Sequence, residues 1–486
     1  MNENKSITKN YLINLIKTMM TIIFPIITFP YASRILGTSG IGKVNFSNSI
    51  ISYFLLLSSL GISTYAIREG AKYRDNKEEL SKFTTEILII NLFSTLISYL
   101  LLIIVVYLFQ NIFSSYNLLI CIVSLSIITT TLNIEWFYNI MEDYGYITIR
   151  AIVFQVLSLL ALFLFVKSKD DYYIYAIISI FSSTGTCFFN LIHSRKYIKL
   201  FKKQHYSIKR HLKPIFIIFG TSIAATIYLN IDTTMIGIFK TDNEVGLYTA
   251  AIKINKMICS LLSSVCTVIL PRLSYYIFNG QKEKFNTLCI KAANIILIFS
   301  IPAAVGMFML SKDIIEIFSG IEFINASILA QILAPNIVFS TINGFISYQI
   351  FIPLQKEKYA LFATIFGATF DCLLNLILIP LYGAAGAAFA TLIAEFVVFI
   401  ISVLLSINIF KIKNIFKYIP QYLFASSFII GIKLFINQFH FNIMIDIFLC
   451  ISVSCLIYFA VLAIVKNQFF LDIVNKFLLK KRSDLS

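Results

Sequence analysis

A hydrophobic run at residues 9–35 carries a polar stripe inside it: Asn10, Asn14, Lys17, Thr18, Thr21 and Thr28. The run exceeds the roughly 20 residues an α-helix needs to cross a bilayer. The stripe recurs at intervals of 4, 3, 1, 3 and 7, which keeps it near one helical face. A spanning helix with one wet face does more than anchor. It lines a water-filled cavity or packs against other polar helices, and a lysine inside it is a candidate for function.

The rest of the chain repeats the theme. Hydrophobic residues make up 58% of 486 and the mean hydropathy is +0.84. A water-soluble core of that composition would leave far too much apolar surface exposed. The fold class is therefore all-α, a polytopic membrane protein. Fourteen spans are expected, at 9–35, 42–67, 84–109, 117–140, 147–166, 172–193, 213–239, 246–274, 288–310, 325–352, 359–380, 384–407, 418–437 and 443–465. The first run is too long for a signal peptide and has no small-residue cleavage site, so it should stay as an anchor. The eight cysteines sit in apolar stretches without a CxxC pair and read as free core thiols. The four histidines are scattered and offer no metal site.

Net charge is +16, but it is not a nucleic-acid footprint. Thirty of the 40 Lys and Arg fall at the N-terminus, in loops after even-numbered spans, or in the tail; six lie on the other side and four inside spans. That asymmetry puts both termini in the cytoplasm. The longest loop, 194–213, is also the most basic and reads as a cytoplasmic linker held near anionic headgroups.

Two stretches repeat. RILGTSGIGKVNF (34–46) and GIFKTDNEVGLYT (237–249) superpose Gly42 on Gly246 with an offset of 204. EDYGYITIR (142–150) resembles QKEKYALFA (355–363). Six spans per half gives parallel repeats about an axis along the membrane normal. The expected lobes are 1–193 and 213–407, joined by the 194–212 linker, with 408–486 holding two extra helices and a cytoplasmic tail.

Several charged residues within or near a span have more than one reading. Lys17, about 12 Å into its span, is either a cavity cation or a snorkelling side chain. Arg34 suits the cavity mouth or a headgroup anchor. Lys253 and Lys256 begin a one-sided stripe with Ser260, Ser263 and Thr267; they are cavity cations or they snorkel outward. Asp232 lies about 120° from the polar stripe of its own span and should face into the protein. Asp371 and Asn375 are four residues apart and share a face. Glu395 lies mid-span, where a carboxyl is protonated, paired or ion-coupling. Glu135 closes an inner gate or caps a helix end. Lys433 and Asp446 flank the last outer turn and should pair.

Three stretches resemble a known family. FPIITFPYASRILGTSGIG (24–42), NIEWFYNIMEDYGYITIR (133–150) and NLILIPLYGAAGAAFATLIAE (375–395) are similar to signatures of the Wzx-type polysaccharide flippases, within the multidrug/oligosaccharidyl-lipid/polysaccharide exporter superfamily. Asn139 departs from the pattern, where Gly would be usual. The resemblance implies a two-lobed alternating-access transporter moving an undecaprenyl-diphosphate-linked oligosaccharide from the inner to the outer leaflet. A bare diphosphate cannot cross hydrocarbon, so basic Lys17, Arg34, Lys253 and Lys256 fit such a substrate. The similar lipid II flippases place an acid, an Asn/Asp pair and a Thr around sodium. The corresponding residues here are Asp232, Asp371, Asn375 and Thr391, with the pair in swapped order. Hard oxygens of this kind suit Na⁺, and a proton would serve as well. No other cofactor is expected. Expected partners are the lipid-linked oligosaccharide, membrane lipids and a polysaccharide polymerase.

No nucleophile–base pair, phosphate loop or metal motif is present in the sequence, so no enzymatic chemistry is expected. The rivals are a drug/cation antiporter of the same superfamily, a membrane polymerase or ligase of polysaccharide assembly, and a passive channel. An antiporter for cations would want an acidic cavity, and a polymerase a long outer loop.

Overall fold

The computed structural model describes residues 7–202, 205–407, 409–410, 414–472 and 474–475. Helices build it throughout, and no strand occurs among the described residues. Contacts divide the chain into two compact units, 1–246 and 247–486.

The first unit contains α1 (Ile7–Ser59), α2 (Ile62–Gly70), α3 (Lys77–Leu108), α4 (Asn117–Leu132), α5 (Glu135–Ile140), α6 (Tyr144–Phe165), α7 (Tyr172–Thr184), α8 (Cys187–Ser194) and α9 (Lys209–Phe239). Two expected spans fuse in α1. Its 53 residues would reach about 80 Å, more than twice the hydrocarbon thickness. The chain therefore turns within it, at Gly37 (φ 67°, ψ −175°), a backbone state that strains any residue with a Cβ. α3 begins under an Asn76 cap, whose carboxamide accepts the N–H groups of Glu78 (3.0 Å) and Glu79 (3.2 Å). Those two acids also favour the positive end of the helix. The buried centre of this unit joins Tyr65, Phe83, Ile87, Trp136, Phe137 and Tyr138 to Ile198 of the linker and Ile215 of α9. The seventh span, α9, packs on α1, which is why the first compact unit extends beyond residue 193.

The second unit takes most of α10 (Asp242–Phe278), then α11 (Lys282–Ser319), α12 (Ala326–Leu333), α13 (Asn336–Phe345), a π-helical turn at Ile346–Phe351, α14 (Glu357–Tyr382), α15 (Ala384–Ser406), α16 (Ile419–Ile436) and α17 (Ile443–Ile464). α12 and the segment Asn336–Phe351 form one span bent by 45°. The last two helices pack on α11: the Tyr422 hydroxyl donates to Asn294 Oδ1 (3.2 Å) and the Tyr458 hydroxyl to the Ile298 carbonyl (2.9 Å).

Among the described residues, twelve helices are long and apolar enough to cross a membrane, and the bent pair makes thirteen. The count falls short of the fourteen expected in part because α1 runs through the first two expected spans as one helix bent at Gly37. Exposed Phe93, Ile103, Leu164, Phe188 and Leu456 cover the outside as lipid-facing side chains must. Cys121 and Cys455 are exposed as well, so they are not core thiols; an apolar thiol is as comfortable against lipid as in a core.

The repeat leaves a physical trace inside the first unit. A Cβ on Gly42 would lie 1.8 Å from the Asp242 carbonyl oxygen, and one on Gly246 would lie 2.0 Å from the Thr38 carbonyl oxygen. Thr38 and Asp242 are themselves related by the 204-residue offset. Each half therefore places its glycine against the other half's turn. Thr38 Oγ1 also donates to Asn243 Oδ1 at 2.8 Å.

Candidate functional site

Lys17 lies in α1, but its side chain is outside the described residues. Arg34, one turn before the Gly37 bend, is exposed. On α10, Lys253 is half-buried, Lys256 and Ser260 are exposed, and Ser263 is half-buried. The side chain of Thr267 is outside the described residues.

The acid and amide residues of the second unit are deeply placed. Asp371 and Asn375 are 1% and 0% exposed on α14. Thr391 on α15 puts its hydroxyl 3.0 Å from that of Tyr248 and donates to the Ala387 carbonyl at 2.9 Å. Close packing brings α14 and α15 together: a Cβ on Gly386 would meet the Leu378 carbonyl oxygen at 2.2 Å. Glu395, half-buried on α15, accepts from Asn343 Nδ2 of α13 at 2.8 Å. A second polar tie closes the break before α13. Asn255 Nδ2 donates to the Leu333 carbonyl (2.7 Å), and Asn336 Nδ2 donates to Asn255 Oδ1 (3.2 Å). At the break the Ile337 N–H turns to the Ala334 carbonyl (3.2 Å), and the Asn255 side chain takes up the Leu333 carbonyl instead.

Asp232 is 7% exposed on α9 and belongs to the first unit, not to the C-terminal lobe where it was expected. Its neighbour Thr234 donates to Ser49 Oγ at 3.0 Å and lies 3.0 Å from the Tyr53 hydroxyl. Glu135 occupies the first turn of the short α5, where the helix N-terminus favours an acid. Among the described residues, no group of three or more His, Cys, Asp or Glu is placed to hold a metal ion.

Three buried charge clusters carry more than the sequence reading gave them. Lys433 pairs with Asp446, as expected, but also donates to Asp313 Oδ2 at 2.6 Å. Arg150, counted only in the charge balance, is buried. It is 8% exposed, with its guanidinium 5.1 Å from the Tyr146 ring centroid and 6.0 Å from that of Tyr138; aromatic faces take the place of solvent. The third cluster went unnoticed. Glu86, 0% exposed near the start of α3, accepts from the Ser207 N–H (2.6 Å) and Arg210 Nη2 (2.6 Å), and lies 2.8 Å from His211 Nε2. His211 Nδ1 lies 2.7 Å from the Tyr65 hydroxyl. The signal was available: a lone acid within an apolar run and an Arg-His pair where the linker ends.

An apolar cavity of about 300 Å³ lies between α11 and the last two helices, bordered by Pro302, Gly306, Met307, Ile451, Cys455 and Tyr458. Its lining suits hydrocarbon and offers little to a headgroup.

Comparison with known proteins gives a consistent picture. The family profile described as "Polysaccharide biosynthesis protein" matches residues 7–277, and that described as MatE matches residues 218–377. A protein of Escherichia coli K12 named as a candidate O-antigen transporter is 21% identical over 81% of this chain and 95% of its own length. A protein of Haloferax volcanii named as a probable low-salt glycan biosynthesis flippase, Agl15, is 28% identical over 35% of this chain and 36% of its own length. A solved structure titled lipid II flippase MurJ, inward closed conformation, superposes with a TM-score of 0.74 at 20% identity, covering 94% of this chain and 99% of that one. An inward-facing multidrug resistance MATE family transporter of the MOP superfamily reaches a TM-score of 0.59 at 14% identity, covering 84% and 99%. At these identities the structural matches speak for the fold.

Proposed function

We propose, from the premise that this chain belongs to the polysaccharide biosynthesis protein family, that it moves a lipid-linked oligosaccharide across the membrane it spans. The observation that carries this reading is the near end-to-end relation to a protein named as an O-antigen transporter, on a polytopic all-helical fold. The substrate is an undecaprenyl-diphosphate-linked repeat unit of a surface polysaccharide. It passes from the inner to the outer leaflet of the bacterial cytoplasmic membrane by alternating access between two six-helix lobes, with both termini in the cytoplasm. No covalent step is assigned to the chain.

Charge supports this choice. A diphosphate needs cations along its path, while its lipid tail stays in hydrocarbon. Lys17, Arg34, Lys253 and Lys256 supply them in this reading. Asp371, Asn375 and Thr391 of the second unit take a sodium ion or a proton, and Asp232 is a further coupling residue of the first unit. Glu395 is the alternative coupling residue, and Glu135 closes the inner gate. A polymerase on the outer face would receive the product.

The MatE match over residues 218–377 favours a second reading, an antiporter for cationic drugs. Proteoliposomes separate the two. The protein should deliver a fluorescent polyprenyl-diphosphate oligosaccharide to the opposite leaflet and leave a cationic dye untransported. Dye transport without lipid transport would reverse the assignment.

A further inference from the structure

A buried serine joins the basic linker to the first turns of α3. Ser81 Oγ donates to the Lys77 carbonyl (2.6 Å) and accepts the Lys199 N–H (3.1 Å), so two lysines far apart in sequence are fixed beside each other through their backbones. Lys202 follows: its Nζ lies 3.3 Å from Glu78 Oε1, and its carbonyl accepts from the Tyr206 hydroxyl at 2.5 Å. Lys77, Glu78, Ser81, Lys199 and Lys202 line a cavity of about 250 Å³. Its charge is unbalanced, with three lysines to one carboxylate, and the Glu78 side chain is largely exposed to water. Asn76 already takes the Glu78 and Glu79 N–H groups, so what the cavity offers is ammonium groups on side chains. Like charges gathered at one opening repel, and an anion between them removes the repulsion.

The surroundings say which anion. Phe188, Phe189 and Ile192 are exposed on one face of α8, and exposed Arg195 and Lys196 continue that face three and four residues beyond Ile192. An apolar face that ends in a basic pair marks the level where hydrocarbon gives way to headgroups. Phe201 comes soon after. It is exposed, with its backbone in the left-handed region at φ 56°, a state a bulky side chain keeps only where its surroundings hold it. Its N–H is held by Thr85 Oγ1 at 3.3 Å. The turn sets an apolar ring next to Lys202. A free phosphate has no use for that ring, whereas a phospholipid has a headgroup for the lysines and chains for the phenyl group.

We propose that Lys77, Lys199 and Lys202 bind the headgroup phosphate of an anionic phospholipid, with Phe201 against its acyl chains. Lys77 belongs to α3, and Lys199 and Lys202 to the linker, so one bound headgroup ties the two elements together. Glu78 competes with the lipid for Lys202 and weakens the site. This inference concerns the first unit alone and does not depend on which substrate is carried.

Tryptophan quenching on the full-length protein tests it. In a Phe201→Trp variant reconstituted in phosphatidylcholine bilayers, brominated phosphatidylglycerol should quench the new indole at a lower mole fraction than brominated phosphatidylcholine does. Trp136 is buried and gives a constant background. Adding Lys77→Gln or Lys199→Gln should each cut the preference about fivefold, as roughly 1 kcal/mol per basic residue near an anionic surface implies. Adding Glu78→Gln should raise the preference, because Lys202 loses its competing acid. Lys209→Gln, exposed on α9 and outside the cavity, should leave it unchanged. Inorganic phosphate should displace the lipid no better than chloride at equal ionic strength. Equal quenching by the two lipids, a loss in Lys209→Gln as large as in Lys199→Gln, a fall in Glu78→Gln, or specific displacement by inorganic phosphate would each overturn the proposal.

Discussion

The two units each hold distant elements together with a buried ionic clasp, and the clasps are opposites. In the first, one carboxylate, Glu86, is surrounded by donors: a backbone N–H, a guanidinium and an imidazole. Its guanidinium partner is 45% exposed. In the second, one cation, Lys433, is shared by two carboxylates, and all three side chains are at most 18% exposed. Removing the central charge therefore leaves different remainders. Without Glu86, Arg210 can turn to water. Without Lys433, two acids remain side by side in an apolar site. The cost of breaking a buried ion pair lies in what is left behind, more than in the bond that is lost.

The largest expected effect follows. Lys433→Met should destabilise the protein by about 3–5 kcal/mol in a detergent thermal-unfolding assay. Adding Asp313→Asn and Asp446→Asn should recover most of it, because the stranded charges are then gone. A triple variant no better than the single one would break the comparison. Glu86→Ala should cost less, about 2–3 kcal/mol, since its main partner can be solvated. Equal losses at the two sites would mean that the exposure of Arg210 gives no relief.

Smaller effects sharpen the contrast with uncharged packing. Gly42→Ala and Gly246→Ala each push a methyl into a carbonyl oxygen, and overpacking of this kind costs about 1–3 kcal/mol. The two losses should match within error, as a reciprocal contact requires; a clear inequality would argue against pseudo-symmetry. Least affected should be Arg74→Ala. Its 2.7 Å bridge to Glu142 is substantially exposed, at 30% and 43% for the two side chains, so removal should cost less than about 1 kcal/mol.

What the sequence revealed follows the range of each interaction. Apolar runs are local, so the spans could be read from composition, and the fused α1 differed only because a single glycine turns the chain without interrupting the helix for long. Lys433 and Asp446 sit thirteen residues apart across one turn, and their pairing was readable. Asp313 lies on α11, far back in the chain, and periodicity holds no sign of it. Glu86 meets Arg210 and His211 across more than a hundred residues, and only tertiary packing joins them. Asp371 and Asn375 were placed on one helical face, and both are fully buried. Periodicity gives direction around one helix, not the distance to residues on another.

The reciprocal contact of Gly42 with Asp242 and of Gly246 with Thr38 has a genetic consequence. A surface in which residue i meets j and j meets i is what a two-fold homodimer builds from one patch. A half-length chain bearing one copy of this turn would satisfy both contacts by pairing with its own twin. Fusion of the two copies preserves that pairing within a single polypeptide and frees each glycine to be replaced separately. A 204-residue register between the two turns is what such a fusion would leave in the sequence.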